Sequence, residues 1–77
     1  MNKPDKERIK RTEALILRIH NMGGFDNIGI VKLSKYTGKD RTDIYRIRKG
    51  LERGMILYDD SLDCYNKALD RIENEQK

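Results

Sequence analysis

Between positions 40 and 53 the chain reads Asp-Arg-Thr-Asp-Ile-Tyr-Arg-Ile-Arg-Lys-Gly-Leu-Glu-Arg, with cations recurring among isoleucines and a leucine. On a helix of about 100° per residue with Ile44 at zero, Ile44, Ile47, Leu51 and Met55 fall within about 80° of one another. Thr42, Arg46, Lys49 and Arg53 gather between about 140° and 200°, on the opposite side. Three cations and a hydroxyl thus share one outward line, with Tyr45 on one flank and Asp43 and Gly50 on the other. The chemistry open to such a face is recognition of a polyanion. Arginine suits guanine edges, lysine suits phosphate, and short polar groups near a helix N-terminus suit base contact. Arg41, Thr42, Tyr45 and Arg46 are placed for base edges. The same charges also serve a plainly wetted helix face. Gly50 costs roughly 1 kcal/mol against alanine in a helix interior, so it marks close approach of something bulky, another helix or a DNA backbone.

The elements that position this face follow from periodicity and stops. From Asp5 to Met22, Ile9, Leu15, Ile16, Ile19 and Met22 recur at helical spacing, with Asp5 and Glu7 suited to the helix start and Gly23 and Gly24 to its end. Pro4 suits the first turn, and residues 1 to 3 are expected to fray. Residues 25 to 29 read as a brief strand, from the alternation of Ile28 and Ile30. Ile30, Leu33, Tyr36 and Thr37 line a two-turn helix ended by Gly38. Asp40 then caps the helix of residues 40 to 53, its carboxylate taking the backbone donors of Thr42 or Asp43, and Gly54 stops it. Residues 55 to 58 and 62 to 65 read as two strands around the Asp59-Asp60-Ser61 turn. Residues 66 to 76 read as a last helix, with an apolar stripe of Tyr65, Ala68, Leu69 and Ile72.

With 77 residues there is room for one domain, and nine Ile with seven Leu suffice for a small core despite 39% charged residues. No run approaches the about 20 apolar residues of a membrane span, and the N-terminus lacks the apolar region of a signal peptide, so an intracellular, cytoplasmic protein is expected. One cysteine, Cys64, and one histidine, His20, cannot make an internal disulfide or a four-ligand zinc site. There is no Walker-type phosphate loop and no recognisable nucleophile motif, so neither catalysis nor a cofactor is expected. The net charge of +4 is unevenly placed: residues 1 to 53 hold 14 Lys and Arg against 7 Asp and Glu, and residues 54 to 77 hold 3 against 6. A basic first part beside an acidic last part suits a protein that turns one face to a polyanion. Lys3, Lys6, Arg8, Lys10 and Arg11 read as flanking phosphate clamps.

The stretch Leu33-Ser34-Lys35-Tyr36-Thr37-Gly38-Lys39-Asp40-Arg41-Thr42-Asp43-Ile44-Tyr45-Arg46 looks like a Leu-Ala-x-x-Thr-Gly turn followed by a capped Arg-Ser-Thr-Val-Tyr-Arg, and Leu51-Glu52-Arg53-Gly54-Met55-Ile56 looks like Leu-Glu-x-x-Gly-x-Ile. With these motifs, residues 28 to 65 resemble the winged helix-turn-helix family of DNA-binding transcriptional regulators, in the small single-module form found in plasmids and viruses, including those of archaea. The resemblance implies one mostly α domain over residues 1 to 77: helix, short strand, helix, recognition helix, hairpin wing and C-terminal helix. It implies residues 40 to 53 in the major groove of double-stranded DNA, supported by residues 30 to 37; on that reading Ser34, Lys35, Lys39, Lys49 and Arg53 are expected on phosphates. The family's basic wing is not matched: Asp59, Asp60 and Asp63 make this hairpin a poor phosphate ligand. A homodimer through the first and last helices is a further expectation. The alternative is a winged-helix adaptor that uses the acidic hairpin and last helix to bind a protein. RNA binding is disfavoured by one Phe, four Tyr and no Trp for stacking. His20 reads as a helix-terminal cation, Cys64 as a small buried residue, and the aspartates of residues 59 to 63 as a solvated turn rather than a calcium loop.

Overall fold

The computed structural model describes residues 5 to 75. Five helices occur among them: α1 Lys6–Asn21, α2 Gly24–Ile28, α3 Ile30–Thr37, α4 Arg41–Glu52 and α5 Asp59–Glu75. No strand occurs among the described residues, so the expected winged fold is overturned. Neither the short strand at residues 25 to 29 nor the hairpin wing at residues 55 to 65 forms. The frayed end expected for residues 1 to 3, and Pro4, lie outside the described residues.

The first helix begins as its acids dictate: Asp5 is the N-cap, and its carboxylate accepts the Arg8 N–H at 2.7 Å. It ends at Gly23, whose φ of +98° is open to glycine at little cost. The following residues make a single turn, α2, bounded by Gly23 and Gly29, with the Asn27 amide donating to the Met22 carbonyl at 2.6 Å. Five residues are too few to show a period, and Ile28 is buried here from a helix. Gly38, at φ +73°, closes α3 as expected. Asp40 is the N-cap of α4, but its side chain makes no capping hydrogen bond, contrary to expectation.

The largest departure is at α5. Asp59 and Asp60 open this helix, where carboxylates favour the dipole, instead of turning a hairpin. Residues 55 to 58 lead into it without regular secondary structure, and the Leu62 N–H donates to the Tyr58 carbonyl at 2.9 Å. Leu62, Tyr65, Leu69 and Ile72 then follow one another by three, four and three residues, and all four are buried. The apolar stripe therefore starts one turn earlier than Tyr65, and a helix buries all of it where a hairpin would split it.

The core joins Leu15 and Ile19 of α1, Ile28 of α2, Leu33 of α3, Ile44 and Leu51 of α4, Leu57 of the linker and the α5 stripe. α1 and α5 run parallel: Arg11 meets Asp59 and Asp63 near both starts, and Arg18 meets Asp70 and Glu73 further along. α3 runs the other way along α5, with Thr37 beside Cys64 and Lys32 beside Glu75. This linker is fastened to α1. Thr12, buried, accepts the Leu57 N–H at 3.2 Å, and the Arg8 guanidinium donates to the Leu57 and Ile56 carbonyls while lying 4.4 Å from the Tyr58 ring centre.

Candidate nucleic-acid interface

α4 is held by its apolar stripe. Ile44 and Leu51 are buried and Ile47 is half-buried against the core, as the periodicity predicted. Met55 lies beyond the helix end and is exposed, a departure from the expected stripe. Its side chain accounts for Gly50: a Cβ there would lie 2.6 Å from the Met55 methyl carbon and 2.8 Å from its sulfur. Within the chain the closest approach is thus made by Met55 and not by another helix.

With Ile44 turned inward, Arg41, Thr42, Tyr45, Arg46, Lys49 and Arg53 are all exposed, and Tyr45 is 49% accessible despite its large ring. None of the four cations in this group forms an ion pair among the described residues. Three residues, 38 to 40, join α3 to α4, and they carry Lys39, half-buried, beside the same helix. Lys35 is exposed near the end of α3, with its ammonium 5.5 Å from the Tyr36 ring centre.

Ser34 has a different task from the one expected. It is half-buried, and its hydroxyl donates to the Lys39 carbonyl at 2.7 Å. Thr37 supports the same turn, its hydroxyl donating to the Leu33 carbonyl and accepting the Lys39 N–H. Ser34 therefore fixes the path between α3 and α4, and its donor is already engaged. Ser34→Ala is expected to lower stability by about 0.5–1.5 kcal/mol, measured by urea melting, while leaving polyanion affinity within twofold once the chain is folded.

Several arginines elsewhere are engaged inside the molecule, whereas Lys6, Lys10 and Lys67 are exposed and form no ion pair among the described residues. Arg11 holds Asp59 and Asp63, and Arg18 holds Asp70, Glu73 and the Asn66 side chain. Its hydrogen bond to Asp63 comes first in holding the Arg11 guanidinium above its ordinary pKa. Burial opposes charge on Arg18, but Asp70 and Glu73 outweigh it and raise its pKa. Exposed pairs of this kind add little to stability; their effect is on where positive charge remains. The phosphate clamp expected of Arg8 and Arg11 is thus corrected, since both face α5 or the linker. Lys6 and Lys10 remain exposed, and Lys3 lies outside the described residues.

No protein family, curated protein or solved structure matches the chain.

One functional arginine was passed over in the sequence. Arg48 lies only about 40° from Ile44 on the α4 wheel, beside the apolar stripe. Its guanidinium donates to both Asp26 oxygens, at 3.1 and 3.4 Å, and lies 5.8 Å from the Phe25 ring centre. It ties α4 to α2, and its place next to the stripe was the available signal, because a cation there needs a partner. Among the smaller features, His20 is exposed in the last turn of α1, and Cys64 is half-buried with its thiol donating to the Thr37 carbonyl at 3.4 Å. No metal-ligand cluster occurs among the described residues. No helix among them is long and apolar enough to cross a membrane. The stripe of residues 65 to 72, expected at a dimer interface, is buried in the monomer core and is not free for that role.

Proposed function

We propose that the chain binds double-stranded DNA as a sequence-specific transcriptional regulator, with α4 in the major groove. The observation that carries this reading is the sorting of charge. Arg11, Arg18 and Arg48 are paired with acids, whereas Arg46 and Lys49 of α4 and Arg53 at its C-cap share one side, with Arg41 at the helix start, and none of the four has such a partner among the described residues. An unneutralised line of cations on a helix fits a groove walled by phosphates. A helix, a short glycine-bearing turn and a second helix is also an arrangement by which proteins present a helix to the groove. Arg41, Thr42, Tyr45 and Arg46 read base edges; Lys35, Lys39, Lys49 and Arg53 hold the backbone.

The adaptor alternative loses the feature that favoured it. The aspartates expected in an acidic hairpin, Asp59, Asp60 and Asp63, belong to α5, and Asp59 and Asp63 face Arg11 of α1. Part of that acidity is thus spent on arginines within the chain, which weakens the case for a basic partner.

The test is a gel shift with duplex from around the chain's own gene against random duplex, at several salt concentrations. Four phosphate contacts predict that log affinity falls with log salt at a slope of about −3 to −4. A discrete complex that survives competitor DNA is the expected outcome. No shift of either duplex at micromolar protein and low salt would remove the reading.

A further inference from the structure

α5 sorts its charges along two edges. On a wheel with Leu69 at zero, Asp59, Asp63, Asp70 and Glu73 lie between about 40° and 120°, and this is the edge that Arg11 and Arg18 of α1 hold. Lys67, Arg71 and Glu75, with Asp60 at the far start of the helix, lie between about 160° and 240°, and Arg71 and Glu75 there meet Tyr36 and Lys32 of α3. The acids nearest Arg71 are engaged, Glu75 with Lys32 at 3.9 Å and Asp70 with Arg18. Lys67 and Arg71 are exposed and form no ion pair among the described residues. Standing four residues apart, they repel each other along the helix. Arg71 is nevertheless held in place. Its guanidinium carbon lies 4.8 Å from the centre of the Tyr36 ring, and the Lys35 ammonium lies 5.5 Å from the same centre. Tyr36 is half-buried against the core, so the ring is a fixed platform. The two cations stand within about 10 Å of each other, one Debye length at 0.1 M salt, so their repulsion is only partly screened.

We propose that Arg71 of α5, gathered with Lys35 at the Tyr36 ring, holds the DNA backbone beside the groove that α4 enters, so that the bound duplex reaches across α3 to α5. This contact rests on the DNA reading of α4. A backbone phosphate at the two cations replaces their repulsion by two attractions, and a guanidinium can meet its oxygens with two N–H groups. Stacking on Tyr36 restricts the Arg71 side chain beforehand, so less freedom is lost when the phosphate arrives. The place in the fold points to the same duplex. Lys39 lies in the three-residue turn before α4, Lys35 lies four residues earlier on α3, and Arg71 meets α3 at the next residue, Tyr36. These cations follow one another away from the start of α4, as contacts to a strand leaving the groove require. The acidic balance of residues 54 to 77 conceals this contact in the sequence, because Asp59, Asp63, Asp70 and Glu73 face α1 and leave Arg71 on the other side.

The experiment measures the salt dependence of binding by fluorescence anisotropy, for the full chain and for Arg71→Ala, Arg71→Lys, Arg46→Ala and Arg11→Ala, on duplex from around the chain's own gene and on random duplex. Arg71→Ala is expected to weaken both duplexes alike, by about fivefold at 0.1 M salt, and to flatten the salt slope by about 0.9. Arg71→Lys keeps the charge and is expected to keep the slope. Arg11→Ala removes a guanidinium already held by Asp59 and Asp63 and is expected to keep it too. Loss of the ring contact alone would lower the melting temperature without moving the slope, so the slope separates a phosphate contact from a structural one. A wild-type slope in Arg71→Ala, with Arg46→Ala narrowing the gap between the two duplexes, overturns the contact on α5 and leaves the reading of α4 standing. A flattened slope in Arg71→Ala, with Arg46→Ala unchanged, keeps the contact on α5 and removes the assignment to α4. No binding of either duplex by the wild-type chain overturns both.

Discussion

Replacing Arg46, Lys49 and Arg53 together by alanine is expected to reduce DNA affinity by more than about a hundredfold, read by fluorescence anisotropy at fixed salt. A base-contacting arginine is worth about 1–3 kcal/mol, and each phosphate contact adds about one to the salt slope. The three changes therefore lower the affinity and flatten the salt dependence by about two. Singly, Arg46→Ala should narrow the gap between operator and random duplex, and Lys49→Ala should weaken both alike. All three side chains are exposed and outside the core, so thermal stability should scarcely move. Arg11→Ala provides the contrast. It removes the same charge from the chain, but from a guanidinium already held by Asp59 and Asp63. If net charge alone drives binding, Arg11→Ala and Arg53→Ala will be equally harmful, and the assignment to α4 fails.

Tyr65→Phe is expected to stabilise the protein by about 1–3 kcal/mol, an unusual sign for a change at the centre of a core. Tyr65 is fully buried, and its hydroxyl has no hydrogen-bond partner among the described residues. The unfolded chain offers that hydroxyl to water, so folding loses its hydration without return. Phenylalanine keeps the ring and its contacts with the other α5 stripe residues and removes the unpaired group. Tyr65→Ala keeps nothing and should cost about 3–5 kcal/mol. The phenol also makes a prediction about alkali. Burial first, then the neighbouring charges of Cys64 and Asp43, push its pKa up to about 12 from an ordinary 10.0. The folded state therefore holds the phenol proton more tightly than the unfolded chain does. Stability from this group is complete below pH 10 and falls as pH rises from 10 toward 12, where the unfolded state ionises first. Comparing urea midpoints of wild type and Tyr65→Phe across that window isolates the effect. A gap between them that stays constant with pH would contradict it.

Much of the architecture is written locally. α1, α3 and α4 each carry a helical period closed by glycine at position 23, 38 or 54, and these short-range signals appear in the structure within a residue or two. The wing failed because Asp59-Asp60-Ser61 satisfies two rules at once. The same residues suit a turn and the first turn of a helix, and local chemistry cannot choose between them. The choice is made by Leu62 and Tyr65, three residues apart, which bury together only on a helix. The short helix α2 is legible only after folding, since its support comes from Phe25, Ile28 and the Arg48 pair. The outward face of α4 could be read from the wheel. Which cations were already engaged could not, because Arg11, Arg18 and Arg48 find acids 22 to 55 positions away along the chain.

The parallel course of α1 and α5 sets the separation of Lys6 and Glu75. α5 has 17 residues and rises about 1.5 Å for each, so its far end stands about 25 Å from the end it shares with the start of α1. Lys6 and Glu75 are therefore at opposite poles of the helix pair. A peptide joining them in a circular permutant must span that distance with about eight extended residues, and a two-residue or three-residue graft would pull the pair out of register. A fluorophore or fusion partner attached near Glu75 would sit a full helix length from the clasp that Arg8 and Thr12 make on the linker, leaving that contact untouched.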